Sequence, residues 1–473
     1  MNFKVLISVI FAAVIIVTGC SEETKGTGGS GGGGGGNPPA VDCDALPNWD
    51  AFAVENAPPT ATDDCTGEVF MSGDNNAQRL NTRLEEAAPG DVICMAEGTY
   101  QMEDTISISR VHTLTLKGIG ASPDDTLLNF GGPDTGKGIF VQTDSVTVEN
   151  LWVRDTGDNG IEMDGTTGGV YRKVHVSWTN DNQELNGPYG IYPTNCEDAL
   201  VEYSQATDAA DAAIYMGKCG WGDESTDGGI LRYNITATSV AGFEVENSLG
   251  VVAHDNLVVN NTGGLMALQQ PGATAGGATP SNSEVLMENN RIWCNNGENF
   301  ATTGAVQIIP VGTGVIMLGG QGVEIRNNDV QGNDSLGFAA VSNAFTCDAA
   351  GEDCPPYAEF PEYNPYVEDL YVHDNYYLNN GTNADTESDF FIVFDLLNYG
   401  TPEMPTPDVL WDGYIAEGGD DPGICLGEDN TASYVDLTQN ECQGSINLPT
   451  FADCIAKNNT TDTAGRLCSP SSN

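Results

Sequence analysis

The chain has 473 residues, with 16 Lys and Arg against 68 Asp and Glu and a formal net charge of -52. A field of that sign repels nucleic acid, anionic lipid headgroups and uronate polymers unless divalent cations intervene. Hydrophobic residues make up 40% of the chain, enough for a sizeable core, so a disordered acidic tail is excluded and a surface adapted to salty water is the plain reading of the charge.

Residues 1–20 read as an export signal. Lys4 gives a positive start, and the apolar run Val5–Val17 is too short to cross ~30 Å of hydrocarbon as a helix. The run ends in Val17-Thr18-Gly19-Cys20, which resembles the bacterial lipobox. That resemblance implies a lipid on Cys20 and anchorage to a membrane. Ser21 after it implies the outer membrane, facing the periplasm or the cell surface. The alternative is an ordinary secretory signal with a chance cysteine. A Gly-rich tether, 21–42, follows and behaves as flexible coil. Thirteen cysteines less Cys20 leave twelve, which in an exported chain are disulfide candidates. Cys43 and Cys65 are expected to staple a lead-in over 43–73. Cys94 and Cys294 lie in strand-like runs and are equally readable as buried hydrophobes.

An amphipathic helix is expected at about Asn75–Ala88, with Ala77, Leu80, Leu84 and Ala87 on one face and Pro89-Gly90 ending it. A strand follows over Asp91–Ala96, then Glu97-Gly98-Thr99-Tyr100 and two short strands, Thr105–Ser109 and Leu114–Lys117. From Gly138 a phrase recurs: a small residue, then alternating apolar and outward positions. It begins at Gly138, Gly160, Gly190, Ala213, Gly242 and Gly264, at intervals of 22, 30, 23, 29 and 22 residues. A period near 22 built from short alternating strands marks a solenoid with one coil per repeat. The alternation points Ile139/Val141, Ile161/Met163, Ile214/Met216 and Phe243/Val245 inward. A second strand in most coils closes on Asn150, Asn234, Asn256, Asn290, Asn328 or Asn375, with Val174 and Ser204 as departures. Asn tolerates a left-handed turn, and stacked amides can bond between coils.

Cys196 and Cys219 each lie six residues past a phrase start, so equivalent places on successive coils bring them about 4.8 Å apart, within disulfide reach. Insertions at Asn180–Tyr189, Gly217–Gly229 and Gln270–Ser283 swell neighbouring coil edges, and strands resume through Val306–Ile309, Val315–Leu318 and Val323–Val330. Beyond Gly381 the period fades, Phe390–Leu397 reads as one more strand, and Cys347, Cys354, Cys425, Cys442, Cys454 and Cys468 fit disulfides at and before a terminal cap.

Reading the first outward position of each coil gives Phe140, Glu162, Tyr192, Tyr215, Glu244 and Met266; two residues on come Gln142, Asp164, Thr194, Gly217, Glu246 and Leu268. Two tyrosines flanked by four acids suit sugar recognition, with C–H groups on the rings and hydroxyls donating to carboxylates. Paired carboxylates also suit general acid–base work. The plainer reading is tyrosines packed under the loops beside solvated acids. Asp208 and Asp211 either join this cluster, ligate calcium with Asp164, or serve as turn residues. His175 and His254 have no evident partner and read as strand-surface residues.

The span from about Asn75 to Asn380 resembles right-handed parallel β-helix repeat proteins of the carbohydrate-binding and sugar-hydrolase type, and within them exported bacterial lipoproteins. Gly187–Pro193, Asp211–Gly217, Gly242–Ser248, Asn260–Leu265 and Val311–Leu318 carry the likeness. It implies an all-β fold: a right-handed parallel β-helix over 74–380, about 22 residues per coil, with an N-terminal capping helix and a disulfide-rich C-terminal cap over 381–473. Mannuronan epimerases carry Asp-Pro-His where this chain has Tyr192-Pro193-Thr194. The Gly-His-Gly and Arg-Ile-Lys of polygalacturonase-type hydrolases are absent. Pectate-lyase-type enzymes use Arg or Lys as base, and Arg172, Lys173, Lys218 and Arg232 are the nearby basic residues. The sequence therefore favours an outer-membrane-anchored protein that binds polysaccharide. An enzyme (lyase, epimerase or hydrolase) and a structural envelope or adhesion protein are the alternatives.

Overall fold

The computed structural model describes residues 38–46, 57–61, 64–221, 227–270, 284–350, 363–388, 399–416, 418–419, 421–427, 432–438, 441–442, 448–463 and 466–468. The export signal, Cys20, most of the tether, Cys354 and the expected strand at Phe390–Leu397 lie outside them. So do the side chains of Cys347 and Cys468. No helix among the described residues is long and apolar enough to cross a membrane.

Helix α1 (Asn76–Glu85) opens the fold and ends just before Pro89-Gly90, shorter than expected. It buries Ala77, Leu80 and Leu84 against the first coil. Asn81 uses its side-chain amide as a stand-in strand: Nδ2 donates to Thr105 O at 2.9 Å and Oδ1 accepts from Ser107 N at 2.9 Å. The edge of the strand Ile106–Ile108 is thereby satisfied rather than left to pair with another chain.

Every ladder pairing between the named strands is parallel, which is what stacked coils require. Among the described residues, one sheet runs through 11 strands, from Ile106–Ile108 to Tyr434–Asp436. A second ladder, of 20 described strands, folds at the asparagine corners into two further faces. The inward residues form one continuous core, including Ile139, Val141, Ile161, Met163, Ile214, Met216, Phe243 and Val245, as the alternation demanded. The small residue opening each phrase is explained by close approach. A Cβ on Gly160 would meet Val176 Cγ1 at 2.3 Å and Gly190 O at 2.7 Å.

The asparagine corners form a buried ladder. Asn234 donates from its backbone N and its Nδ2 to Asn256 Oδ1, Asn256 does the same to Asn290, Asn290 to Asn328, and Asn328 to Asn375. Ser204 replaces the amide by accepting from Val174 N at 3.2 Å. The left-handed conformation falls mostly on the residue before each amide, at Tyr203, Tyr233, Asp255, Asn289 and Asn327, with Asn150 itself left-handed. The ladder asparagines are therefore selected for hydrogen bonding rather than for backbone tolerance. A second ladder, unforeseen, runs Ser239–Asn261–Asn295–Asn333–Asn380 at the next corner.

The disulfides revise one expectation and match another. Cys196 and Cys219 are bonded with a Cα separation of 4.3 Å, so the coil register is right. Cys43 and Cys65 do not pair with each other. Cys43 bonds Cys294 across 251 residues of sequence, and Cys65 bonds Cys94. The reason is the path of 38–46, which lies along the coil sides: Val41 N donates to Gln331 Oε1 at 3.0 Å, and Leu46 packs with Ile235, Ala237, Leu257 and Val259. Cys94 and Cys294 are thus disulfide partners rather than simple apolar fillers. Cys442 bonds Cys454, and Cys425 is also in a disulfide.

The coils also continue past 380. The strand Val409–Trp411 pairs with Leu336–Val341 and then with Tyr434–Asp436, while Cys425–Gly427 joins the second ladder. Two helices, α2 (Asn343–Ala350) and α3 (Leu448–Asn458), accompany these last coils.

Candidate functional site

The strands of the 11-stranded sheet place the two outward columns as the sequence spacing foretold. Phe140 pairs with Glu162, Glu162 with Tyr192, Tyr215 with Glu244, and Glu244 with Met266. Ile191 opposite Ile214 and Thr194 opposite Gly217 set Tyr192 beside Tyr215. Asp164 pairs with Thr194, Gly217 with Glu246, and Glu246 with Leu268.

The four acids of these columns separate into two chemical settings. Glu162 is buried and already satisfied: Lys137 Nζ lies 2.7 Å from Oε1 and Asn159 Nδ2 donates to Oε2 at 2.6 Å. Asp164 is half-buried and accepts from Asn195 Nδ2 at 2.7 Å. Glu244 and Glu246 instead join Asp211, one of the two aspartates named as additions to the cluster. Asp211 and Glu246 both border the Glu244 carboxyl, and the Tyr215 hydroxyl lies beside Glu246. Asp211 also accepts from Tyr189 Oη at 3.3 Å.

Carboxylates cannot bond one another without a shared proton. Glu244 is 3% exposed and Asp211 7%, and among the described residues no N–H or hydroxyl donor reaches Glu244 Oε2 or Asp211 Oδ1. Burial, then the charges of Asp211 and Glu246, push the Glu244 carboxyl well above its usual range. Burial pushes Asp211 up to about 7, against the hydrogen bonds from Glu244 and Tyr189. Glu246 is raised by burial and held back by Glu244, by the Lys218 charge and by the Tyr215 hydroxyl. Such a cluster retains a proton near neutrality beside a group that can take one.

Three tyrosines pack over it, one more than the spacing showed. Tyr189 stacks on Tyr192 with centroids 4.5 Å apart, and Tyr215 meets them at 4.9 and 4.8 Å. Tyr215 is buried, whereas Tyr189, Tyr192 and Glu246 are only partly so. Burial pushes the Tyr192 hydroxyl up to about 12, and the neighbouring carboxylates also raise Tyr189 and Tyr215. All three therefore act as hydrogen-bond donors rather than phenolates at neutral pH. Tyr189 sits one residue ahead of its small phrase-opening glycine, so the alternation that found Tyr192 did not reach it.

The remaining candidates are placed elsewhere. Asp208 occupies a left-handed turn, with its carboxyl raised by burial and Gln183 Nε2 donating to Oδ1 at 3.5 Å. It is a turn residue. Asp164, Asp208 and Asp211 do not converge, and among the described residues no three His, Cys, Asp or Glu side chains form a metal-binding group. Arg172 and Arg232 both pair with Glu202 at 2.6 Å on the other ladder, and Lys173 donates to Thr60 Oγ1 at 3.1 Å. Lys218, whose charge reaches Glu246, is the basic residue of that set at this face. Lys137 was not foreseen. It lies 4.2 Å over the Phe140 ring. His175 has a partner after all, Asp124 at 3.1 Å, and stacks on Trp152 at 4.7 Å. His254 meets Asp255 at 2.7 Å. Both belong to the second ladder.

The family described as right handed beta helix region matches residues 128–279. Pectate lyase L of Paenibacillus polymyxa (strain SC2) is 24% identical over 184 residues, which are 34% of this chain and 40% of that protein. Among solved structures, the mannuronan C-5 epimerase A-module of Azotobacter vinelandii aligns at a TM-score of 0.46 and 13% identity, over 79% of this chain and 93% of that one. A mannuronic acid specific polysaccharide family 6 lyase from human gut microbiota aligns at 0.44 and 12%, over 73% and 79%. With its coils stacked in the register described and residues 128–279 matched by that family, the chain folds as an all-β, right-handed parallel β-helix.

Proposed function

We propose that this chain is a polysaccharide-active enzyme whose proton transfers are carried by Asp211, Glu244 and Glu246 beneath Tyr189, Tyr192 and Tyr215. The observation that carries the reading is the buried three-carboxyl cluster, two of whose oxygens no N–H or hydroxyl donor among the described residues reaches, a setting that favours a retained proton. Glycosidic bonds are cleaved by pairing an acid that protonates the leaving oxygen with a base. In hydrolysis the base activates water or attacks; in elimination or epimerisation it removes a carbon-bound proton. Glu246, the least buried of the three, is the member that meets substrate, and Glu244 and Asp211 behind it set its proton. Tyr192 offers its ring and hydroxyl to the sugar. The sequence relative is named a pectate lyase, which supports a polysaccharide substrate and favours the enzyme over a binder.

The reading includes export and a lipid on Cys20 at the outer membrane, motivated by Val17–Cys20 and the Gly-rich tether. Metabolic labelling with a palmitate analogue tests it: label in the native chain and none in Cys20→Ala is expected, and equal label in both contradicts it.

The test of the enzyme is incubation of the exported form with a panel of neutral and uronate polysaccharides, with and without calcium. New reducing ends, ultraviolet-absorbing unsaturated products or altered proton NMR signals of the sugar distinguish hydrolysis, elimination and epimerisation. Binding without any product would return the chain to a polysaccharide-binding role.

A further inference from the structure

Among the described residues, the outward face carrying the cluster is uncovered at one end and covered at the other. Ser107 and Gln142 are exposed, and Phe140, Asp164 and Tyr192 partly so. Going on along the same two columns, Met266 and Leu268 are fully buried, and Ile316 and Leu318 nearly so. Between these ends Glu162, Thr194, Tyr215, Gly217 and Glu244 are buried while Tyr192 and Glu246 stay partly exposed, Glu246 being the last of either column to do so.

What closes the face is the segment 295–312. Its run Val306–Ile309 was expected as a strand, but Ala305–Ile308 forms a single 3-10 turn instead. Gly304 enters that turn at φ 84, a left-handed conformation, and Ile309-Pro310 leaves it. Val306 and Ile309 are buried with Tyr215, Met266 and Leu268 in one apolar cluster, and Phe300, Ala301 and Ala305 pack on it. The segment reaches the cluster directly: a Cβ on Gly304 would stand 2.9 Å from Asp211 Oδ2. It is also fixed in place. Asn299 Nδ2 donates to both Val306 O and Ile309 O at 3.0 Å, Thr262 Oγ1 donates to Glu298 O at 2.8 Å, and Val311 N donates to Asp385 Oδ2 at 3.1 Å. Past it, Phe345 of α2 continues the cover onto Tyr414.

We infer that the cluster of Asp211, Glu244 and Glu246 stands at the closed end of a one-sided face, so that the enzyme works on the end of a polysaccharide chain and not within it. The inference rests on the acid–base reading above. A polymer bound along the open coils, over Phe140 and past Tyr192, runs into Val306 and Ile309 one coil beyond Glu244. An internal segment would have to pass through that packed cover. A chain terminus fits, with one or a few sugar units lying over Tyr192 and Glu246 and the remainder extending toward Phe140 and Lys137. Lys137 is 29% exposed and already engaged by Glu162, so it flanks the open arm without demanding an anionic sugar.

The experiment follows the products of a polymer that is turned over, labelled with a fluorophore at its reducing end. The expected result is one short product size from the earliest times, with average polymer length falling slowly. Release of the label at once or only at the end reports which terminus enters. A broad ladder of intermediate lengths with rapid loss of viscosity would overturn the inference while leaving the acid–base reading intact. If no polymer is turned over, the acid–base reading fails, and binding decides the groove. It should then hold linear oligosaccharides and exclude cyclic ones of the same sugar; equal binding of both would overturn it.

Discussion

At the scale of single residues, groups that hold the fold stand apart from groups that, on the proposed function, face substrate. Tyr215 is buried and Tyr192 is not, although they are neighbours in one column. Tyr215→Ala should therefore cost about 3–5 kcal/mol by cavity formation, seen as a lower denaturant midpoint. Tyr192→Ala should leave stability within about 1–2 kcal/mol and raise KM several-fold. A second residue gives a pH test. Asp412 is fully buried and accepts backbone N–H bonds from Ser342 at 2.5 Å and Tyr414 at 3.0 Å, yet burial pushes its carboxyl up to about 7. The folded chain then keeps a proton that the unfolded chain releases above about pH 4. Because the native state binds more protons across that window, stability falls as pH rises from about 4 to 7. At 1.36 kcal/mol for each pKa unit the loss from this group is on the order of 4 kcal/mol. Asp412→Asn should flatten the dependence of melting temperature on pH between those limits. An unchanged slope would mean that Asp412 is ionised in the folded chain.

At the scale of elements, stacking converts single side chains into chain-long ladders. Asn256 receives both donors of Asn234 and gives its own to Leu231 O and Asn290 Oδ1. Asn256→Ala strands these buried groups and should cost about 1–3 kcal/mol or more, read from thermal or denaturant unfolding. The strap from 38 to 46 acts at longer range. In the chain-entropy account, closing 251 residues through Cys43–Cys294 is worth on the order of 5 kcal/mol, against about 3 for Cys196–Cys219. Cys43→Ser with Cys294→Ser should lower the melting temperature more than the double serine change at Cys196 and Cys219. The two outward columns, the core and the Cys196–Cys219 bond were legible because strand alternation and a near-constant coil length fix both face and register. Cys43–Cys294 was not, since nothing local says which coil a lead-in will cross. The 3-10 turn at Ala305–Ile308 was missed for a related reason: a short apolar run reads the same whether it builds a coil or covers one. Asp211 was in view as a member of the cluster, but only the fold divided it from Asp208, three residues earlier and in a left-handed turn.

At the scale of the whole molecule, the parallel β-helix supplies a rigid outward face and the charge balance surrounds it with acid. In such a field three carboxyls in contact stay together only by sharing protons, which is the state a polysaccharide-cleaving acid–base site needs. The segment 295–312 and the two late helices cover one end of the face, so that on the proposed reading access is directional. The most direct measurement is turnover of the most responsive polysaccharide by the native chain and by Glu244→Gln, at matched folding judged by melting temperature. Gln keeps the shape and a donor in place of the buried protonated acid, so stability should be equal or higher while turnover falls at least about 100-fold. Turnover retained in Glu244→Gln, with the fold intact, would contradict the claim that this cluster carries the chemistry.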